Sequence, residues 1–106
     1  MMKGAVYYKD LKIGTVEQTD EGYEFQYDLD YVKTPGSKPI SQTLPLTEKQ
    51  YKSKTLFPFF DGLIPEGWLL DVAIETWKIN PGDRMTLLLT VCQDCIGAIK
   101  VIRSDK

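Results

Sequence analysis

The densest run of large apolar residues lies in the middle of the chain, between Leu56 and Trp68, and proline and glycine interrupt it repeatedly. Full burial of one such side chain stabilises a fold by about 1.5 to 3 kcal/mol, so this stretch predicts the centre of the core. Because proline is tolerated in a first helical turn and disfavours helix at the residue before it, we expect a short helix from Pro58 to about Gly62 and a new helix start at Pro65. The expected core residues are Phe57, Phe59, Phe60, Leu63 and Ile64.

Both ends of the chain predict strands. Residues 5–9, 12–18 and 23–27 are short apolar or alternating segments joined by turn-length connections, a pattern typical of an antiparallel meander. Residues 97–103 alternate in the same way, and we expect them to pair with the meander. Residues 40–46 are expected to be extended, with Pro45 limiting them to an edge or a short strand.

Three further segments predict helices. Thr47 and Gln50 match a capping box, which indicates a short, solvent-facing helix over residues 50–54. Residues 65–78 place their apolar side chains on one helical face, and Asn80 followed by Pro81 begins a further, largely buried helix. We therefore expect a single α+β domain over residues 1–106, with an antiparallel sheet from the N-terminal strands and a C-terminal strand packed on two to three helices.

Composition argues against several classes of function. The 106 residues include 13 basic and 15 acidic side chains that are scattered, with a net charge of −2, which gives no footprint for direct nucleic-acid binding. No apolar run is long enough for a membrane span and no secretory pattern is found, so we expect a cytoplasmic protein. With no histidine to activate a nucleophile and no phosphate-binding loop, we expect no enzymatic activity and no cofactor.

The two cysteines, Cys92 and Cys95, form one Cys-x-x-Cys motif. A structural zinc site normally needs four ligands, so a single pair cannot complete one within this chain. We expect buried, reduced, structural cysteines. A redox site and a metal site shared between subunits stay open as alternatives.

Trp68 is the candidate binding residue. Its helical phase groups it with Asp71 and Glu75 rather than with the apolar face. It either packs over the rim of the aromatic core or serves as an exposed anchor for a partner, a role in which tryptophan is enriched. We favour the second interpretation and predict a partner-binding surface formed by Trp68, Pro65, Glu66, Asp71 and Glu75.

Four short stretches, in this order and spacing, resemble the N-terminal subdomain of HipA-type serine/threonine kinases, the toxins of HipBA toxin–antitoxin systems. They are residues 43–46 (Thr-Leu-Pro-Leu), 59–67 (Phe-Phe-Asp-Gly-Leu-Ile-Pro-Glu-Gly), 87–88 (Leu-Leu) and 94–98 (Asp-Cys-Ile-Gly-Ala). The resemblance covers nearly the whole chain. Cys92 departs from it, since the family usually has glycine there.

In HipA-type kinases this subdomain precedes a catalytic domain, and a free-standing copy is similar to HipS of tripartite HipBST systems. The resemblance therefore implies a non-catalytic, antitoxin-like protein that binds and neutralises a HipA-type (HipT-like) kinase, with Trp68 wedged into the kinase cleft. It also implies an indirect complex with a helix-turn-helix DNA-binding protein. The alternatives are the structural N-terminal subdomain of a HipA kinase, a small Cys-x-x-Cys redox or metal-linked protein, and a generic adaptor.

Overall fold

The fold is an antiparallel sheet with helices on one face, as seen in a computed structural model that describes residues 2–64, 75, 84–91 and 98–104. Within these residues the sheet has five strands in the order β4-β3-β2-β1-β5. The elements are β1 (Lys3–Tyr8), β2 (Leu11–Thr19), β3 (Gly22–Tyr27), α1 (Leu29–Lys33), β4 (Tyr51–Ser53), α2 (Pro58–Asp61), α3 (Arg84–Val91) and β5 (Ile99–Arg103). The predicted α+β class is confirmed.

The two ends of the chain meet at one edge of this sheet, where β5 is the edge strand. The β1–β2–β3 meander forms as predicted, and β5 pairs antiparallel with β1, which confirms the predicted pairing of the C-terminal strand. Beyond the end of β5, the Ser104 N–H donates to the Lys3 carbonyl oxygen at 2.8 Å. In the β1–β2 ladder the register shifts between Val6 and Tyr7, so that Ile13 is an extra residue directed into the core.

The core lies between the inner face of the sheet and the helices. Phe57, Phe60 and Ile64 of the central run are buried as predicted, whereas Phe59 and Leu63 are partly buried against the same cluster. The other members include the sheet residues Val6, Val16, Phe25 and Val101 and the α3 residues Met85, Leu87, Leu88 and Leu89. The short helix predicted at Pro58 is α2.

The helix predicted over residues 50–54 is wrong, because Tyr51–Ser53 form strand β4 beside β3. The Thr47 hydroxyl accepts the N–H of Lys49, two residues on, rather than that of Gln50. The Gln50 side chain donates to the Glu24 carboxylate at 2.8 Å instead of returning to Thr47. A local hydroxyl turn and the open edge of β3 thus replace the capping box.

The segment between β3 and β4 also differs from expectation. Helix α1 was not predicted. It has five residues, none of them buried, so the sequence shows no apolar periodicity there. Residues 40–46 are not one extended piece, because an isolated antiparallel bridge joins Ser41 to Leu44 around a tight turn.

Several predictions lie outside the described residues. They are the helix over residues 65–78 except for residue 75, the helix start at Asn80 and Pro81, and the state of Cys92 and Cys95. The buried helix expected after Asn80 is described as α3, whose residues Met85, Leu87 and Leu88 are fully buried.

Candidate partner-binding surface

An ion pair joins the end of α2 to the start of α3, the two described elements that flank the predicted surface residues in the sequence. The Arg84 Nε donates to the Asp61 carboxylate at 2.7 Å, and this ion pair joins residues 23 positions apart. The two side chains are 33% and 44% exposed, so solvent screens the pair, and such pairs contribute about 0.2 to 1 kcal/mol. The pair orients the two ends more than it stabilises the fold.

Phe60 fixes α2 to the sheet. Its ring is fully buried and lies 5.3 Å from the ring centroid of Phe25 on β3, with Phe57 at 6.3 Å and Phe59 at 5.2 Å. Tilted and edge-on aromatic pairs of this kind contribute about 0.5 to 1.5 kcal/mol beyond their buried area. These contacts hold α2, and the buried Ile64 that follows it, against the core.

The predicted site residues start one position beyond Ile64. Pro65, Glu66, Trp68 and Asp71 lie outside the described residues. Glu75 is described: it is helical and exposed, which leaves its carboxylate accessible to a partner. The assignment of Trp68 as a partner anchor stays a prediction.

The described residues offer little metal or membrane chemistry. Over residues 2–64, 75, 84–91 and 98–104 there is no group of three histidine, cysteine or acidic side chains that could hold a metal ion. Among the helices in the described part of the chain, none has the length and apolar character needed to cross a membrane.

Tyr27 has a structural role that the strand pattern did not reveal. Its hydroxyl donates to the Leu44 carbonyl oxygen and accepts the Ile40 N–H at 3.0 Å, so one side chain pins both ends of the 40–44 turn. Burial raises the pKa of Tyr27 above its ordinary value of 10.0, and the Ile40 N–H acts in the opposite direction. The hydroxyl is therefore held in its neutral, donating form.

A groove at the far end of the β1–β2 hairpin was also missed. The segment 34–39, expected only to be a surface loop, lies against the hairpin end that carries Tyr8 and Leu11. The available signal was the pair of large apolar residues on either side of a two-residue turn, where polar residues are the norm.

Comparison with known protein families shows to which family the chain belongs. The family model described as the HipA N-terminal domain matches residues 4–102, from β1 to β5. The chain belongs to the HipA N-terminal domain family. The match includes residues of all five strands, so family membership and fold agree.

Relatives of this HipA N-terminal domain occur in proteins of very different length. An "Uncharacterized protein" of Haemophilus influenzae is 31% identical over 98 residues, covering 92% of this chain and 89% of the relative. A Sinorhizobium fredii protein named "Putative kinase" is 26% identical over 82 residues, which cover 77% of this chain but 20% of that protein.

Solved structures show the same fold. The structure titled N-terminal domain of HipA toxin has a TM-score of 0.78 and 28% identity, covering all of this chain and 95% of that one. A HipA chain from Shewanella oneidensis, in a complex with HipB and operator DNA, has a TM-score of 0.77 and 24% identity. This HipA N-terminal domain covers 24% of the Shewanella chain's length.

Proposed function

We propose that this chain is a non-catalytic, antitoxin-like protein that binds and neutralises a HipA-type kinase in the cytoplasm. One observation carries the proposal: the HipA N-terminal domain accounts for residues 4–102. The Haemophilus relative supports it, since the matched domain makes up 89% of that protein and leaves no room for a kinase domain. A domain that forms part of one HipA chain is well suited to dock against the remainder of another.

The contact surface is the one predicted around Trp68. Tryptophan anchors supply much of the energy of many interfaces, and truncating one often costs about 2 kcal/mol or more. Pro65 and Glu66 precede Trp68, and Asp71 and Glu75 follow it on the same helical face by sequence. The exposed Glu75 supports the accessibility of this face, which would bring carboxylates to the mouth of the kinase cleft.

A DNA-binding protein would join such a complex through the kinase. The Shewanella structure contains HipA, HipB and operator DNA together, so a HipA chain can connect with a DNA-bound partner. The present chain, with its scattered charges and net charge of −2, would contact DNA only indirectly.

A second function is favoured by the Sinorhizobium relative. This HipA N-terminal domain spans 20% of a protein named as a kinase, so it would serve there as a structural subdomain of a longer chain. In that case the domain would support the catalytic region instead of inhibiting it.

The two functions predict opposite effects on kinase activity. The experiment adds the purified 106-residue chain to a HipA-type kinase from the same genome and measures binding by calorimetry and autophosphorylation by radiolabel incorporation. A neutralising protein lowers autophosphorylation and rescues growth when it is co-expressed. A supporting subdomain raises the activity of a catalytic region that lacks its own N-terminal domain.

Trp68→Ala tests the contact surface, and Trp77→Ala is its matched control from the apolar face of the same predicted helix. We expect Trp68→Ala to weaken kinase binding by about 30-fold, equivalent to the 2 kcal/mol of an anchor residue. Its melting temperature should stay within about 3 °C of wild type, whereas Trp77→Ala should melt well below it. A large loss of thermal stability in Trp68→Ala would assign that side chain to the core, and a wild-type protein that does not bind would refute neutralisation.

A further inference from the structure

The end of the β1–β2 hairpin and the segment 34–39 enclose an open groove of about 490 Å³. Its lining includes the apolar and aromatic side chains Tyr8, Leu11, Tyr31, Pro39, Ile40 and Ile99. The volume lies within the roughly 300 to 1,000 Å³ typical of ligand pockets. The groove is therefore large enough to hold one or two side chains of a partner.

Two of the lining residues are unusually exposed for their type. Tyr8 is 45% exposed and Leu11 is 58% exposed, although both adjoin strands whose inner face forms the core. Contiguous exposed apolar surface on a small soluble domain often marks an interaction site. The fold leaves these two side chains available, and they continue the floor of the groove.

The rim of the groove carries positive charge. Lys38 lines it directly, and the Lys9 ammonium lies 5.8 Å from the centroid of the Tyr8 ring, over its face. Within the described part of the chain, neither lysine has an ion pair. Both ammonium groups can therefore pair with a carboxylate of a partner protein.

Two carboxylates near the hairpin and α1 have cationic partners, whereas Asp30 within α1 has no ion pair among the described residues. Asp10 lies 3.7 Å from the Lys100 ammonium, and Asp28 pairs with Lys12 at 3.1 Å. These pairs reduce the acidic groups that could compensate the rim from within the fold. The described residues that line the groove include Lys38 and no acidic side chain, so the lining itself is positive on a chain whose net charge is −2.

The backbone at Lys9 has the positive φ that is usual at the first position of a two-residue hairpin turn. Its φ of 56° lies in the left-handed region, which glycine or asparagine adopts at lower cost than lysine. The Lys9 N–H donates to the Ala98 carbonyl oxygen at 2.6 Å, which holds the turn against β5. The turn thereby fixes the position of Lys9, one of the two lysines at the rim, beside the Tyr8 ring.

We propose that this groove binds an extended peptide segment of a partner protein in which a large apolar side chain lies between carboxylates. The aromatic and proline walls match an apolar side chain on an extended backbone, as in other grooves that bind such peptides. Lys9 and Lys38 match the flanking carboxylates. The proposal does not rest on kinase neutralisation, because it uses different residues and a different surface.

The test uses the full chain and a synthetic probe, the peptide acetyl-Glu-Asp-Leu-Phe-Asp-Glu-amide, titrated into ¹⁵N-labelled protein by NMR. We expect chemical-shift changes confined to the groove, centred on Tyr8, Leu11 and the segment 34–40, and an affinity that falls as salt is raised. Two control peptides separate the contributions: one has lysine at every acidic position, and one has alanine in place of leucine and phenylalanine. Both should bind much more weakly.

Matched variants separate the site from general charge. Lys38→Glu should weaken binding of the acidic probe by about fivefold, whereas Lys49→Glu, an equal charge change at an exposed residue beside the opposite sheet edge, should leave it unchanged. Lys9→Gly should weaken binding and at the same time raise the melting temperature, because it removes both the charge and the unfavourable φ.

Three outcomes would overturn the proposal. The first is no shift change in the groove at millimolar peptide. The second is equal binding of the acidic and the lysine-substituted peptides, which would show that the rim charge has no role. The third is a change in the chemical shifts of the groove residues when protein concentration is raised without peptide, which would identify a second copy of this chain as the occupant.

Discussion

At the scale of single residues, Tyr27 shows how one side chain joins distant parts of the chain. It is 1% exposed, its ring packs edge-on against Phe25 at 4.9 Å, and its hydroxyl reaches residues 13 and 17 positions away. The alternation in residues 23–27 correctly predicts that this ring faces the core. The partners of the hydroxyl follow from tertiary structure, which no local pattern encodes.

Tyr27→Phe should lower the free energy of unfolding at pH 7 by about 1 to 2 kcal/mol, because the Leu44 carbonyl and the Ile40 N–H lose their partner. The pH dependence has a definite sign. Since the folded pKa of Tyr27 is above the unfolded value of 10.0, the unfolded chain releases this proton first, and stability falls as pH rises above about 10. Wild type should lose more stability than Tyr27→Phe between pH 9 and 11.

Urea unfolding across that pH range measures this difference. Subtracting the Tyr27→Phe curve from the wild-type curve removes the titration of the other tyrosines and of the lysines. A difference that stays constant from pH 9 to 11 would contradict a raised pKa at Tyr27. Tyr8→Phe, which removes a hydroxyl from a 45% exposed ring, is the control at pH 7 and should keep wild-type stability.

At the scale of elements, β4 is a part of the fold for which the sequence predicted the wrong structure. The sequence 47–50 satisfies the spacing of a capping box, but Tyr51, Lys52 and Ser53 pair with Phe25, Glu24 and Tyr23 on β3. The Tyr51 hydroxyl also donates to the Pro45 carbonyl oxygen at 2.7 Å. A three-residue strand is too short to show alternation, so its identity depends on the open edge beside it.

Gly22 controls whether β4 can dock. Its φ is +142°, and a Cβ at this position would overlap the Ser53 carbonyl oxygen and lie 2.8 Å from the Lys54 Cα. Gly22→Ala should therefore lower the free energy of unfolding by more than about 2 kcal/mol, with backbone strain and steric overlap acting together.

Gly36→Ala is the matched control, because Gly36 also has a positive φ, of +83°, but a Cβ there meets nothing within 4 Å. Gly36→Ala should lower the free energy of unfolding by only about 1 to 2 kcal/mol, because it adds backbone strain without steric overlap. Chemical denaturation gives both values, and hydrogen exchange of the β3–β4 amides locates the damage. Equal losses in the two variants would show that β4 does not depend on the close approach at Gly22.

At the scale of the whole molecule, the first and last strands of the chain pair with each other, so that β5 forms one edge of the sheet. The sequence predicted that residues 97–103 pair with the N-terminal meander, because they alternate as half-buried strands do, but it did not predict which strand is the partner. Helix α2 packs on that sheet through Phe60, and the Asp61–Arg84 pair joins α2 to α3. Only the burial of the apolar run was predictable there, since the ion pair joins residues 23 positions apart.

A chain that ends at Ala98 should lose cooperative unfolding, whereas one that ends at Ser104 should melt like wild type. The shorter chain lacks all of β5, including the fully buried Val101, and leaves β1 without a partner on one side. Domains of this size have a net stability of about 5 to 15 kcal/mol, too little to absorb the loss of a core strand.

Calorimetry and circular dichroism distinguish the two truncated chains. A cooperative transition near the wild-type temperature in the chain ending at Ala98 would show that β5 is dispensable. Restoration of the transition by adding a peptide of residues 98–104 to the shorter chain would locate the defect in the strand itself.

The hydrogen bond between Lys3 and Ser104 has a consequence for how such a domain spreads among genes. Because the sheet starts and finishes at neighbouring points, a longer polypeptide needs only one junction region to accommodate it. Gene fusion or fission at that junction would leave every strand pairing intact, and a circular permutant that links the two ends would keep the same sheet. The same fold can therefore pass between free-standing and covalently tethered forms without redesign of its interior.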